Sequence, residues 1–130
     1  MATQRLLFLT PAQAVTGIFP ALRDAGFELG IAENLKGASA FISKSGPGII
    51  FARPTLPGFR VEDLLAVGAE DPHFPPVIVV ADKGSPQEVE RLLNLGARDY
   101  WLEPLDVERV KIAAGAARRQ PAPAPAASTL

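Results

Sequence analysis

Arg53 and Glu103 are the side chains of this sequence whose types and settings most plainly invite chemistry. Arg53 follows the apolar run Ile49-Ile-Phe-Ala52 and stands four residues before Pro57-Gly58, and Glu103 follows Tyr100-Trp-Leu102 and precedes Pro104. A guanidinium presents a planar fork of donors that suits a carboxylate or phosphate, so Arg53 can either pair with Glu103 or receive an anion. The cleft for such an anion would be edged by Thr10, Arg53, Ala81, Asp82 and Glu103. Asp82 with Glu103 could also form a cation site, but two hard ligands without a third compete poorly with water for magnesium. Thr10, Thr16 and Gly17 have the wrong spacing and too few glycines to wrap a phosphate. His73, between Pro72 and Phe74, has no nucleophile at motif spacing and reads as a surface residue. No nucleophile–base pair and no cofactor fingerprint emerges, so the chain is read as neither an enzyme nor a cofactor carrier.

Positioning these groups requires strands that end where they stand. Leu6-Leu-Phe-Leu9, Ile49-Ile-Phe-Ala52 and Val77-Ile-Val-Val80 are compact apolar runs suited to strands buried on both faces. Phe27 to Ala32 alternates and suits an edge, and Tyr100-Trp-Leu102 is a fifth strand. Between them, Thr10, Pro11 and Gln13 predict an N-cap, a first-turn proline and a capping-box partner for a helix that runs to Gly26 with a kink near Pro20. Leu35 to Ser45 and Val61 to Val67 predict two more helices. Ser85-Pro-Gln-Glu88 predicts a capping box on a helix ended by Gly96, and Asp106 caps a last one through Val107, Val110 and Ala114. Five strand–helix units in alternation imply a parallel sheet covered on both faces. Arg53 and Glu103 are then expected side by side, at neighbouring strand ends.

Composition narrows the function classes. The 130 residues are 48% hydrophobic, enough for one domain, read as 1–118. Residues 119–130, rich in Pro and Ala, read as a linker or tail. A formal net charge of −1 gives no global field for nucleic acid or an anionic membrane. The absence of cysteine removes disulfides and soft-metal sites, and no signal or membrane segment opens the chain, so a cytoplasmic setting is expected.

Over residues 4 to 118 the alternation and these motifs resemble the receiver domain of CheY-like response regulators. That resemblance implies an α/β, flavodoxin-like (βα)5 three-layer sandwich with strand order 2-1-3-4-5 and a site at the carboxyl ends of the strands. It also implies a magnesium-binding acidic pair where this chain has Thr10 and Pro11, and a phospho-accepting aspartate where it has Arg53. A switch hydroxyl is expected where Ala81 stands, and a lysine where Glu103 stands. Tyr100 matches the aromatic that swings on activation. A degenerate pseudo-receiver, lacking the acceptor, is therefore expected to work without phosphoryl transfer.

The resemblance further implies a protein partner, an attached effector domain after the linker, or a homodimer. The expected interaction face joins Arg91, Asn94, Arg98, Tyr100, Trp101, Glu108 and Arg109. Strand alternation sends Tyr100 and Trp101 to opposite sides of the sheet, with at least one of them packed in the core. A small-molecule or anion sensor using the cleft near Arg53 is the second reading.

Overall fold

The computed structural model describes residues 4–103 and 105–119. Five parallel strands form the sheet: β1 (Arg5–Leu9), β2 (Glu28–Ile31), β3 (Ile49–Ala52), β6 (Val77–Ala81) and β7 (Asp99–Leu102). Their order is β2-β1-β3-β6-β7, which is the expected 2-1-3-4-5 when only the main strands are counted. A two-stranded hairpin, β4 (Thr55–Leu56) and β5 (Phe59–Arg60), accounts for the difference in numbering. It turns through Pro57 and Gly58, where Gly58 has φ of 76°, a conformation glycine adopts without a Cβ penalty. Burial follows position: β3 and β6 are buried throughout, whereas the edge strands β2 and β7 each expose both end residues.

Alternation along the central strands builds two cores. Leu7, Leu9, Ile50, Ala52 and Val79 face α3 (Leu35–Ser45), α4 (Val61–Ala69) and α5 (Pro86–Asn94), which contribute Ala38, Leu64, Leu65 and Leu92. Leu6, Phe8, Ile49, Phe51, Ile78, Val80 and Trp101 face the other side. That layer comprises α1 (Ala12–Val15), α2 (Phe19–Asp24) and α6 (Val107–Arg119), with Val15, Leu22, Val110 and Ala114 turned inward. The result is the three-layer sandwich, with each helix laying an apolar stripe on a sheet face.

Three local expectations change. The first helix is not kinked but broken into α1 and α2 by a turn at residues 16–18, with the Ile18 amide donating to the Val15 carbonyl at 3.0 Å. Pro20 has no N–H and its ring clashes with the carbonyl four residues back in a continuous helix, so it instead occupies the first turn of α2. Thr10 does not cap: its hydroxyl is buried with no hydrogen-bond partner. The capping box of α5 is only half made. Ser85 Oγ accepts from the Glu88 amide at 3.1 Å, but the Glu88 carboxylate turns to the hydroxyl of Tyr100.

Pro104 and the Pro/Ala-rich stretch after Arg119 lie outside the described residues, so the linker remains an expectation. Among the described residues no helix is long and apolar enough to cross a membrane.

Candidate functional site

The carboxyl ends of β1, β3, β6 and β7 bring Thr10, Arg53, Ala81 and Glu103 to one end of the sheet. Register fixes them there: Leu9 pairs with Ala52 and Ala81 with Leu102, so Thr10, Arg53 and Glu103 each stand one step beyond a paired residue. The Arg53 amide donates to the Leu9 carbonyl at 2.9 Å, and the Glu103 amide to the Ala81 carbonyl at 2.8 Å. Both side chains therefore start from backbone held by the sheet.

The expected contact forms, but not between neighbours. β6 lies between β3 and β7, and two strand spacings amount to about 10 Å. Two long side chains close that distance. Arg53 Nη2 donates to Glu103 Oε1 at 2.9 Å and lies 2.9 Å from Oε2, with the side chains 23% and 22% exposed. Ala81, between them in strand order, is buried and brings only a methyl group. A charge-assisted bond in so sheltered a place is strong as a contact, while desolvation offsets much of its net contribution to stability.

Around this pair, Thr10 is fully buried and Pro11 half-buried, and neither carries a carboxylate. Thr10 Oγ1 and Arg53 Nε are buried without a hydrogen-bond partner. Asp82 is exposed on the turn after β6. Among the described residues no three His, Asp or Glu side chains stand close enough to share a metal ion. Arg53 is engaged by Glu103 rather than held open for an anion.

The seven residues expected on one interaction face lie on α5, just before β7, on β7 and on α6, and they enter different local contacts. Asn94 and Tyr100 line an open groove between α5 and β7, together with Gly84, Val89, Leu93 and Leu102. Arg91 turns to α4, where it donates to the Glu62 carboxylate. Burial opposes ionisation of Glu62, but the Arg91 hydrogen bond, a backbone bond and the charges of Arg60 and Arg91 outweigh it and lower its pKa. Arg98 precedes β7, its amide donating to the Val77 carbonyl at 2.7 Å, and so lies at the opposite end of the sheet from Glu103. Glu108 pairs with Lys111 along α6.

Trp101 is a correction. It is only 4% exposed, packs 5.5 Å from the Phe51 ring, and carries the Arg109 guanidinium 4.3 Å above its own ring. Alternation put Tyr100 on the other side of the sheet, as expected, and Trp101 went to the core beneath α6. The residues sequence reasoning missed are Gly84 and Glu88, which touch Tyr100, and the exposed Leu93 and Leu102. Leu93 and Leu102 sat in apolar patterns that could not distinguish an exposed position from a buried one.

No protein-family model matches the chain. A stretch of 72 residues, 52% of the chain, is 33% identical to the two-component response regulator ORR2 of Oryza sativa subsp. indica and spans 28% of that protein's length. Among solved structures, a two-component response regulator from Clostridium difficile superposes with a TM-score of 0.78 at 20% identity, covering 92% of this chain and 98% of that one. The receiver domain of the Francisella response regulator 1452 superposes at 0.77 with 18% identity, covering 91% and 98% respectively. With its sheet order and its two helical layers, the chain has the fold of CheY-like receiver domains.

Proposed function

We propose that this domain is a non-catalytic, phosphorylation-independent receiver-like signalling module of a two-component type of regulatory protein. It acts by docking on a protein partner or by restraining an effector domain attached beyond the described residues. The observation that carries this reading is the closed Arg53–Glu103 pair at the end of β3. An acceptor must offer a nucleophilic oxygen, and a guanidinium offers only donors. Phosphoryl transfer also needs cations to neutralise the charge developing on the phosphoryl oxygens, whereas Glu103 adds a carboxylate and Thr10 and Pro11 supply no ligand for magnesium.

A docking function needs an exposed surface with apolar content, and the α5–β7 groove supplies one: Leu93 and Leu102 are 40% and 55% exposed beside Tyr100. A protein partner, or a second copy of this chain, suits such a surface. The near-neutral composition favours neither nucleic acid nor a membrane, and a cytoplasmic setting accords with the cysteine-free sequence.

Intact-mass spectrometry after incubation with acetyl phosphate and magnesium tests the proposal. The expected result is an unchanged mass. A stoichiometric, base-labile adduct on a carboxylate of this chain would show that another residue has taken the acceptor role, and the proposal would fall.

A further inference from the structure

We infer that the Pro/Ala-rich stretch of this chain, Pro121 to Ala127, packs into a cavity of the same molecule between the C-terminal ends of α4 and α5, at the end of the sheet opposite Arg53 and Glu103. The inference rests neither on the α5–β7 groove nor on the absence of phosphorylation. It adds a second site, with a segment of this chain as its occupant.

The cavity measures about 480 Å³ and is walled by Leu65, Pro72, Phe74, Pro75, Val77 and Leu95. That volume lies within the range of about 300–1,000 Å³ typical of ligand sites. The Phe74 ring packs against α4 at Gly68, where a Cβ would lie 2.7 Å from Phe74 Cδ2, yet the residue stays half-buried. Leu95, on the α5 side, is 45% exposed. Glu70, Asp71 and Arg98 also border the cavity and are exposed, so its charges are solvated while its walls are apolar. An aromatic ring set among prolines, with apolar surface left open, suits an apolar segment rather than a charged one.

Place, reach and composition choose the occupant. The C-terminal half of α6 lies at the starts of the strands: Gln4, just before β1, donates from Nε2 to the Ala114 carbonyl at 3.0 Å, and Ala113 and Ala116 border a smaller cavity of about 210 Å³ with Ile49 and Asp99. Pro76 and Arg98 border both cavities, so the smaller one leads from α6 to the larger. The described chain ends at Arg119, about one turn beyond Ala116. From there Gln120 to Leu130 can span about 30 Å at the polyproline rise, several times the roughly 5 Å between neighbouring strands. Pro121, Pro123 and Pro125 alternate with alanine, so the segment is uncharged, leaves few amide donors to bury and loses little freedom on binding. The α5–β7 groove is the wrong destination, because Leu102 and Gly84 place it at the carboxyl ends of β6 and β7, the far end of the sheet from the end of α6. Seated in the cavity, the stretch leaves the domain beneath α4 and α5 rather than in line with α6, which sets the direction in which an attached effector departs.

The chain has no cysteine, so Ser128→Cys places a single nitroxide label just past the stretch. Amide proton–nitrogen spectra of the labelled whole chain are expected to lose the signals of Glu70, Asp71, Phe74 and Gly96 to paramagnetic broadening and to regain them when the nitroxide is reduced, while Thr10, Arg53 and Leu102 stay sharp. Leu95→Glu puts a charge on the cavity wall at an exposed position and should abolish the broadening with the far-ultraviolet circular dichroism unchanged. Pro121→Gly, Pro123→Gly and Pro125→Gly together leave the domain untouched, remove the preformed conformation and should weaken the broadening severalfold. Absence of selective broadening, or its persistence at full strength in either variant, would overturn the inference. Broadening in a mixture of isotope-labelled chain without nitroxide and nitroxide-labelled chain without isotope would make a second copy the donor of the segment and overturn it equally. No phosphodonor is added, so an empty cavity and a phosphorylated carboxylate are separate failures.

Discussion

Phe51→Ala is expected to lower the unfolding free energy by about 3–5 kcal/mol, the range for truncating a fully buried aromatic to a methyl. Phe51 sits on the middle strand with no exposed surface, stacks on Phe8 at 5.2 Å and 15°, and packs 5.5 Å from Trp101. Phe8 continues the contact to Phe19 of α2 at 5.5 Å, and Trp101 continues it to Arg109 of α6. Removing the ring leaves a cavity bordered by strands that hydrogen-bond on both sides and cannot close in, so the cavity cost adds to the lost burial. Urea unfolding followed by Trp101, the only tryptophan, measures it. A change below about 1 kcal/mol would mean that this aromatic row is not the packed core of the α2–α6 side.

The second large effect belongs to the strand-end pair and shows in how two substitutions combine. Glu103→Ala leaves the Arg53 guanidinium in a sheltered site with its acceptor gone, an expected cost of about 1–3 kcal/mol. Arg53→Met together with Glu103→Leu removes both charges and keeps apolar volume, and should return stability to within about 1 kcal/mol of the starting protein. The contrast is the signature of a pair that satisfies itself rather than one that adds much net stability. Additive losses in a double-mutant cycle would contradict the contact as described, because groups in contact must couple.

Those two regions differ in how much of them could be read from sequence. The apolar runs of β1, β3 and β6 announced buried strands because both faces of a central parallel strand are covered, and the alternation of elements implied the sandwich. The edge position of β2 was legible for the complementary reason. The Arg53–Glu103 contact was legible from the ends of their strands, and the expected order 2-1-3-4-5 already implied the intervening strand that the side-by-side expectation overlooked. Sequence gives strand ends, whereas the reach of two side chains over an intervening strand is a tertiary matter.

The helix expected up to Gly26 failed at Thr16-Gly17-Ile18, because Pro20 could be met either by bending the helix or by restarting it, and the periodicity of Val15, Ile18 and Leu22 is similar in both. The residues of the expected interaction face enter local contacts that sequence did not show. Arg91, Arg98 and Arg109 were grouped because the resemblance implies a face built on the last strand and the helices beside it, yet Arg91 reaches the α4 side, Arg98 stands at the far end of the sheet, and Arg109 lies over the ring of Trp101. Glu88 was legible as a cap residue but took the Tyr100 hydroxyl, a contact that only the packing of α5 on β7 creates.

The strand ends closed by the Arg53–Glu103 pair are proposed not to respond to a phosphoryl group. Amide proton–nitrogen correlation spectra recorded as magnesium and beryllofluoride are added to the protein test it most directly. The resonances of Thr10, Arg53, Ala81 and Glu103, and those of the α5–β7 groove, are expected to keep their positions throughout. Saturable, magnesium-dependent shifts at those residues that propagate to Tyr100 and Leu102 would contradict it, showing a cleft that binds a phosphoryl mimic and passes the event on.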